Sequence, residues 1–69
     1  MTKFNVYVFN EKGGAEQLAG SDMTEDRADQ RVLTVLGRID RENYFVGSCE
    51  VDSQKDKDAK ESLKLTKKN

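Results

Sequence analysis

The sequence predicts a small α+β domain in which one helix packs on one face of a small antiparallel sheet, with elements in the order β-β-α-β. Three observations support this fold class. Two segments, residues 3–9 and 43–53, alternate their side chains with the period of two that β-strands require. A glycine pair at residues 13–14 marks a hairpin turn after the first of them. Residues 24–36, which lie between the two segments, carry apolar side chains at helical spacing.

The first predicted strand, residues 3–9, has large side chains on both faces. One face holds Phe4, Val6 and Val8, and the other holds Asn5, Tyr7 and Phe9. Such a strand is either central and covered on both faces, or its aromatic side chains meet a partner. Tyr7 and Phe9 are therefore candidate partner-binding residues, and packing under the helix is the structural alternative for both.

Residues 15–20 are predicted to form the returning strand of the hairpin, because the preceding glycines supply the positive φ that such turns require. This segment contains two alanines, one leucine and one glycine, so it offers little apolar surface to bury. We expect it to lie at an edge of the sheet.

Residues 24–36 are predicted to form the helix, with Thr24 as its N-cap and Asp22 as a rival cap two residues earlier. Its apolar arc consists of Ala28, Val32, Val35, Leu36 and Ile39. Gly37 allows two interpretations. Either it ends the helix, or it lies inside the helix and lowers helix stability by about 1 kcal/mol relative to alanine. We favour a helix that ends near Gly37.

Residues 43–53 are predicted to form the third strand, with Phe45, Cys49 and Val51 on one face. The single α+β domain then comprises residues 1–53, and residues 54–69 form a lysine-rich polar tail. We interpret the stretch from Ser53 to Lys60 as a loop or linker. Leucines alternate with polar residues after it, so the tail ends in a short fourth strand at the sheet edge, in a frayed helix or in a disordered segment.

Length and composition limit the kind of protein this is. A chain of 69 residues with 35% hydrophobic residues has one domain and a thin core. Its single cysteine excludes a disulfide framework, so we expect a homodimer, which is the remaining common way to stabilise so small a chain. No apolar run is long enough to cross a bilayer and no signal peptide is recognisable, which predicts a soluble cytoplasmic protein without a membrane partner.

The side chains of this sequence argue against an enzyme. There is no histidine to act as a general base, and no lysine lies in an apolar setting that would lower its pKa. We therefore expect no catalytic residue, no cofactor and no metal. Cys49 is interpreted as a buried structural thiol. Asp52, Asp56 and Asp58 lack the glycine and the closing glutamate of a calcium loop, so we interpret them as solvated loop residues.

Charge is unevenly distributed along the chain. Residues 1–53 hold six basic side chains against ten acidic ones, which gives a net charge of −4. Residues 54–69 hold six lysines against three acidic side chains, which gives +3. A net negative body argues against tight binding of nucleic acid, although the lysine-rich tail could add a contact that is sensitive to salt.

All four arginines lie within fifteen residues. On one continuous helix Arg27, Arg31, Arg38 and Arg41 would form a stripe, at about 0°, 40°, 20° and −40° around the axis. Guanidinium groups suit paired carboxylates or phosphates, so Arg27, Arg31 and Arg38 are candidate partner-binding residues. A solvated helix flank is the structural alternative. If the helix ends near Gly37, Arg38 and Arg41 leave the stripe.

Acidic residues cluster at the start of the predicted helix. Glu25, Asp26 and Asp29 follow Asp22 within one to two turns. They either compensate the positive end of the helix dipole or form a patch that meets a basic partner. We include Glu25, Asp26 and Asp29 among the candidate partner-binding residues.

The layout resembles that of small proteins encoded by bacteriophages and other mobile elements, which often combine a hairpin, one helix and a further strand. The segments that carry the resemblance are KFNVYVFN, the glycine turn, MTEDRADQRVLTVL and NYFVGSCEV. Members of that group often bind and redirect one host protein. The resemblance implies a similar role in a host cytoplasm, but it includes no diagnostic motif and assigns no functional residue.

The sequence thus predicts a small non-enzymatic module that binds another protein and acts as an inhibitor or modulator of a host or cellular protein. The alternative is a small accessory protein that binds nucleic acid through the arginine stripe and the lysine-rich tail.

Overall fold

The computed structural model describes residues 2–67, which form three strands and two helices. In chain order these are β1 (Phe4–Asn10), β2 (Ala15–Met23), α1 (Glu25–Leu36), β3 (Tyr44–Glu50) and α2 (Gln54–Lys67). The strands form one antiparallel sheet in the order β2-β1-β3. The predicted α+β class is confirmed, and β1 is the central strand.

The central strand β1 presents alternate side chains to two different helices. Asn5 and Tyr7 hydrogen-bond to Asp56 of α2. Val8 borders a groove with Val35 of α1 instead. The two helices therefore lie on opposite faces of the sheet, and both faces of β1 are covered, which is the first of the two predicted alternatives.

The two pairings of β1 differ in regularity. β1 and β3 stay in one register over seven residue pairs, from Phe4 opposite Glu50 to Asn10 opposite Tyr44. The pairing of β1 with β2 contains three register shifts. The hairpin between these two strands turns at Gly13, whose φ of 87° is the left-handed conformation that glycine adopts without strain.

Helix α1 begins and ends where the sequence predicts. Thr24 has an extended backbone, and its hydroxyl oxygen accepts a hydrogen bond from the Arg27 N–H at 3.4 Å, as an N-cap does. The last helical residue is Leu36, and Gly37 closes the helix with an N–H bond to the Leu33 carbonyl oxygen. The interpretation that Gly37 ends the helix is confirmed.

The second helix corrects the expectation for the end of the domain. Residues 54–60 are helical and not a loop, and Leu63 and Leu65 lie in the same helix rather than in a fourth strand. The sheet is therefore covered by two helices instead of one. Asp56, Ala59 and Leu63 of α2 pack towards the sheet at helical spacing, and the Ser62 hydroxyl oxygen accepts a hydrogen bond from the Ala15 N–H of β2 at 2.9 Å. The first of these is charged, so the hydrophobic pattern was weak, and a frayed helix was only one of three alternatives that the sequence left open for this segment.

A buried carboxylate anchors α2 on the sheet. The Asp56 side chain is 0% exposed, and its Oδ1 accepts hydrogen bonds from Asn5 Nδ2 at 2.8 Å and from the Tyr7 hydroxyl at 2.7 Å. Its Oδ2 accepts from the Asp52 N–H at 2.9 Å and lies 3.2 Å from Lys60 Nζ. Burial alone would raise the pKa of this carboxyl, but these bonds outweigh burial and lower the pKa to about 2. The interpretation of Asp56 as a solvated loop residue was wrong.

Candidate interaction surface

Helix α1 presents arginines along the flank that lies over β2. Arg27 and Arg31 are exposed, one helical turn apart, and both border a shallow pocket next to Met23. Arg31 also borders a neighbouring groove of about 290 Å³ between α1 and β2. Arg38 borders the same groove although it lies beyond the end of the helix. These three side chains, Arg27, Arg31 and Arg38, are called the arginine row below.

The arginines of the predicted stripe differ in the hydrogen bonds that they form with the backbone. Arg31 Nε donates to the Ala19 carbonyl oxygen of β2 at 2.8 Å, which fixes the guanidinium over the sheet edge. Arg41 Nε donates to the Leu36 carbonyl oxygen at 3.0 Å and so closes the end of α1. Arg41 therefore leaves the stripe, as expected for a helix that ends at Gly37. Arg38, which was expected to leave with it, remains beside Arg31.

The arginine row is not neutralised by neighbouring side chains. Among the side chains of residues 2–65, the only ion pair joins Lys60 to Asp56 on the other face of the sheet. Arg27 and Arg31 are instead an i, i+4 pair of like charge, an arrangement that destabilises a helix by a few tenths of a kcal/mol. No carboxylate among the described side chains thus lies within ion-pair distance of the row.

The acidic candidates lie at the start and on the other flank of α1. Glu25 and Asp26 occupy the first turn, where carboxylates interact favourably with the helix dipole. Glu25 also borders a small pocket with Phe4 and Glu50. Asp29 is exposed and lies about 160° around the helix axis from Arg31. The two flanks of α1 therefore carry opposite charges.

The aromatic candidates do not belong to the arginine surface. Tyr7 is 0% exposed and belongs to the core on the α2 face, so it is not a surface residue of the described chain. Phe9 is half-buried on the same face, where its ring stacks on Phe45 with centroids 5.2 Å apart. The candidates from the sequence thus fall into separate places: the arginine row, the acidic flank, and the α2 face of the sheet.

A second groove, between β3 and α2, was not anticipated from the sequence. Its volume is about 360 Å³, and Phe9, Phe45 and Gly47 form its apolar floor, while Lys55 and Asp58 border it from α2. Gly47 lies beside the Phe9 ring, and a Cβ at this position would make an ordinary van der Waals contact with the ring at 3.4 Å. Phe45 remains 48% exposed. The alternation in β3 assigned Phe45 to the inner face, but the sequence did not show that α2 would leave it partly uncovered.

Cys49 also borders this groove and is buried, as the sequence predicts. Burial raises the pKa of its thiol, and the negative charge of Asp56 adds to the increase. A thiol with a raised pKa holds little of the thiolate that reacts with electrophiles or metals. Within the described residues no three histidine, cysteine or carboxylate side chains are grouped so that they could hold a metal ion.

Neither α1 nor the described part of α2 has the length and apolar character needed to cross a lipid bilayer. Comparison with protein-family models, with curated proteins and with solved structures gives no match for this chain. The residues and their geometry are therefore the basis for any functional conclusion.

Proposed function

We propose that this protein is a small non-enzymatic interaction module that binds an acidic surface of another protein through the arginine row, and that it inhibits or modulates that protein. The observation that carries the proposal is the positive charge of Arg27, Arg31 and Arg38 along a shallow pocket and the neighbouring groove, with no carboxylate of the described side chains within ion-pair distance.

Guanidinium chemistry supports a carboxylate-bearing target. Arginine forms paired, charge-assisted hydrogen bonds with carboxylates, and these are strongest when the arginine is held in place before binding. Arg31 meets this condition because its Nε is fixed by the Ala19 carbonyl oxygen, while its terminal amino groups remain for a partner. The exposed side chains of Gln30 and Thr34 border the shallow pocket with Arg27 and Arg31 and offer further hydrogen bonds.

The distribution of positive charge favours a protein over a nucleic acid as the target. The alternative function combines the arginines with the lysine-rich segment into one basic surface. The described lysines of that segment belong to α2, whereas the arginine row lies along α1 and just past its end, on the opposite face of the sheet. Nucleic-acid-binding domains usually present one continuous basic face, so this separation weakens the alternative.

Affinity capture with charge-reversed variants tests the proposal. Arg27→Glu/Arg38→Glu reverses two charges of the row and spares the Arg31 bond to Ala19. Lys57→Glu/Lys64→Glu makes the same change in net charge on exposed positions of α2 and is the matched control. We expect the wild type and the lysine variant to retain the same protein from cell lysate and the arginine variant to lose it, with all three showing the same circular dichroism spectrum.

Two outcomes would count against the proposed surface. The first is capture that is unchanged by the arginine substitutions, or equally reduced by the lysine substitutions. The second is binding of DNA or RNA at low salt that falls steeply with added salt and requires the arginine row, which would favour the nucleic-acid function instead.

A further inference from the structure

The two edges of the sheet differ in how well they are protected against pairing with another strand. The β2 edge is irregular, with three register shifts, a left-handed residue at Asp22 (φ 52°) and a carbonyl of Ala19 already bonded to Arg31. β3 is protected only at its two ends, where the Tyr44 N–H donates to the Asp40 carbonyl oxygen and the Glu50 carbonyl oxygen accepts from Ser53. Residues 45–49 pair with β1 without a register shift and carry no charged side chain. Natural edge strands usually carry bulges, charges or covers that prevent pairing. β3 is therefore the edge open to a further strand.

The pairing of β3 with β1 determines which backbone groups point outward. The Val51 N–H donates to the Lys3 carbonyl oxygen at 2.9 Å, so this residue pair is a hydrogen-bonded pair of the antiparallel ladder. Such pairs alternate along a ladder, so residues 45, 47 and 49 also bond to β1. The N–H and C=O groups of Val46 and Ser48 consequently point away from β1, towards the open edge.

Exposed apolar side chains lie beside this edge. Phe45 is 48% exposed at the start of β3, whereas the neighbouring Tyr44 lies back over the sheet, next to Val8 and Gln17. Leu33 is 71% exposed and lies about 160° around the α1 axis from Arg31, on the flank away from β2 and so on the side of β3. Phe45 and Leu33 thus expose apolar surface on the β3 side of the molecule. An exposed strand edge with such neighbours is typical of an interface.

We propose that a second copy of this chain pairs antiparallel with β3 around a two-fold axis at Gly47, so that two three-stranded sheets become one continuous sheet of six strands. The two-fold axis pairs Val46 with Ser48 of the second copy, and Ser48 with Val46. Because both residues direct their backbone groups outward, each of these two pairs exchanges two hydrogen bonds. The two Gly47 residues then face each other in a closely spaced pair that is not hydrogen-bonded.

The side chains of β3 suit pairing with themselves in this register. Phe45 lies opposite Cys49 of the second copy, and diagonally over its Gly47, where no side chain occupies the space. Glu50 lies opposite Tyr44 and not opposite another carboxylate, so no like charges meet in the new pairs. The same symmetry covers both copies of Phe45. A self-complementary edge of this kind fits an isologous dimer, in which one patch serves both subunits.

Sedimentation velocity with edge variants tests the pairing. The wild type should have the mass of two 7.8-kDa chains at about 100 µM. Ser48→Lys puts a charge on the β3 edge, and Ser48→Pro removes an outward N–H that β1 does not use. Each should weaken association about tenfold or more. Gln17→Lys, at an exposed position of the β2 edge, should leave the mass unchanged.

Disulfide cross-linking tests the proposed register of the two β3 strands. Gly47→Cys in a Cys49→Ser background puts the only thiols of the dimer opposite each other, so mild oxidation should give a covalent dimer. Gln17→Cys in the same background is the control and should remain a single chain. A monomeric wild type, or equal weakening by Gln17→Lys, would overturn the proposal. So would a monomer whose β3 edge binds an extended peptide of another protein. None of these results depends on the arginine row.

Discussion

At the residue scale, Asp56 connects parts of the chain that are far apart in sequence. Asn5 and Tyr7, which bond to its carboxylate, are 51 and 49 residues away. Asn5 also accepts a hydrogen bond at its Oδ1 from the Asp22 N–H, so the same amide links the end of β2 to β1 and α2. A buried charge is costly unless its hydrogen bonds are complete, and no buried side-chain polar atom of the described residues lacks a partner. The network therefore specifies how α2 sits on the sheet.

We expect Asp56→Asn to lower the free energy of unfolding by about 2–4 kcal/mol. An asparagine oxygen can still accept from Asn5 and Tyr7, but its amide nitrogen would then face the Asp52 N–H, a donor against a donor. Chemical denaturation of both proteins at neutral pH measures the difference. Asp58→Asn, at an exposed position of the same helix, is the control and should change stability little. Equal stability of wild type and Asp56→Asn would show that the network contributes nothing.

The lowered pKa of Asp56 also predicts how stability depends on pH. The pKa is 3.8 for an ordinary aspartate and about 2 in the folded protein, so the folded state binds the proton more weakly than the unfolded state. Asp56 therefore stabilises the fold fully above about pH 4, and this contribution is lost as the pH falls towards 2. Denaturation of wild type and Asp56→Asn between pH 6 and 2 should show the two stabilities converging at low pH, and parallel curves would contradict the assigned pKa.

At the element scale, the two helices differ in what holds them. α1 has a conventional N-cap at Thr24 and an end at Gly37, and its buried residue Ala28 belongs to an arc that the sequence displays. α2 has a weaker pattern, with a buried alanine at Ala59 and a buried carboxylate at Asp56. Local signals were therefore sufficient to predict α1, whereas α2 requires the partners on β1 that satisfy its charge.

A chain that stops at Ser53 should lose cooperative unfolding, because the α2 face of the sheet would expose Tyr7 and Ala15 to water and leave Asn5 without its partner on α2. Urea denaturation followed by tyrosine fluorescence measures the transition. A chain that stops at Leu65 retains the contacts of Asp56, Ala59 and Leu63 and is the control. If the shorter chain unfolded as cooperatively as the full chain, residues 54–67 would be a tail as the sequence first indicated.

At the scale of the whole molecule, the sheet divides the charged surface in two. The arginine row lies on the side of α1, and the described lysines of α2 lie on the other side. The apolar edge at β3 is a third surface, away from the arginine row over β2. A dimer formed along β3 would leave both copies of the arginine row accessible, so partner binding and self-association would not compete for one surface.

Only part of the candidate site could be predicted from the sequence. Arg27 and Arg31 follow from helical spacing alone, and both line the predicted flank. Arg38 could not be assigned from spacing because it lies beyond the helix end, where the path of the chain after Gly37 returns it to the same groove. The alternation in β1 allowed Tyr7 to be an aromatic residue of the surface. In the structure β1 lies between two strands and under α2, and this position buries the side chain.

The sequence by itself determined the features that depend on neighbouring residues. Period-two alternation specified β1 and β3, and the hydroxyl of Thr24 set the start of α1. Tertiary structure decided the features that depend on distant contacts: the helical state of residues 54–67, the burial of Tyr7 and the open edge of β3. The physical reason is that a charged residue such as Asp56 becomes part of a core only when donors from elsewhere in the chain complete its hydrogen bonds, and no local pattern records those donors.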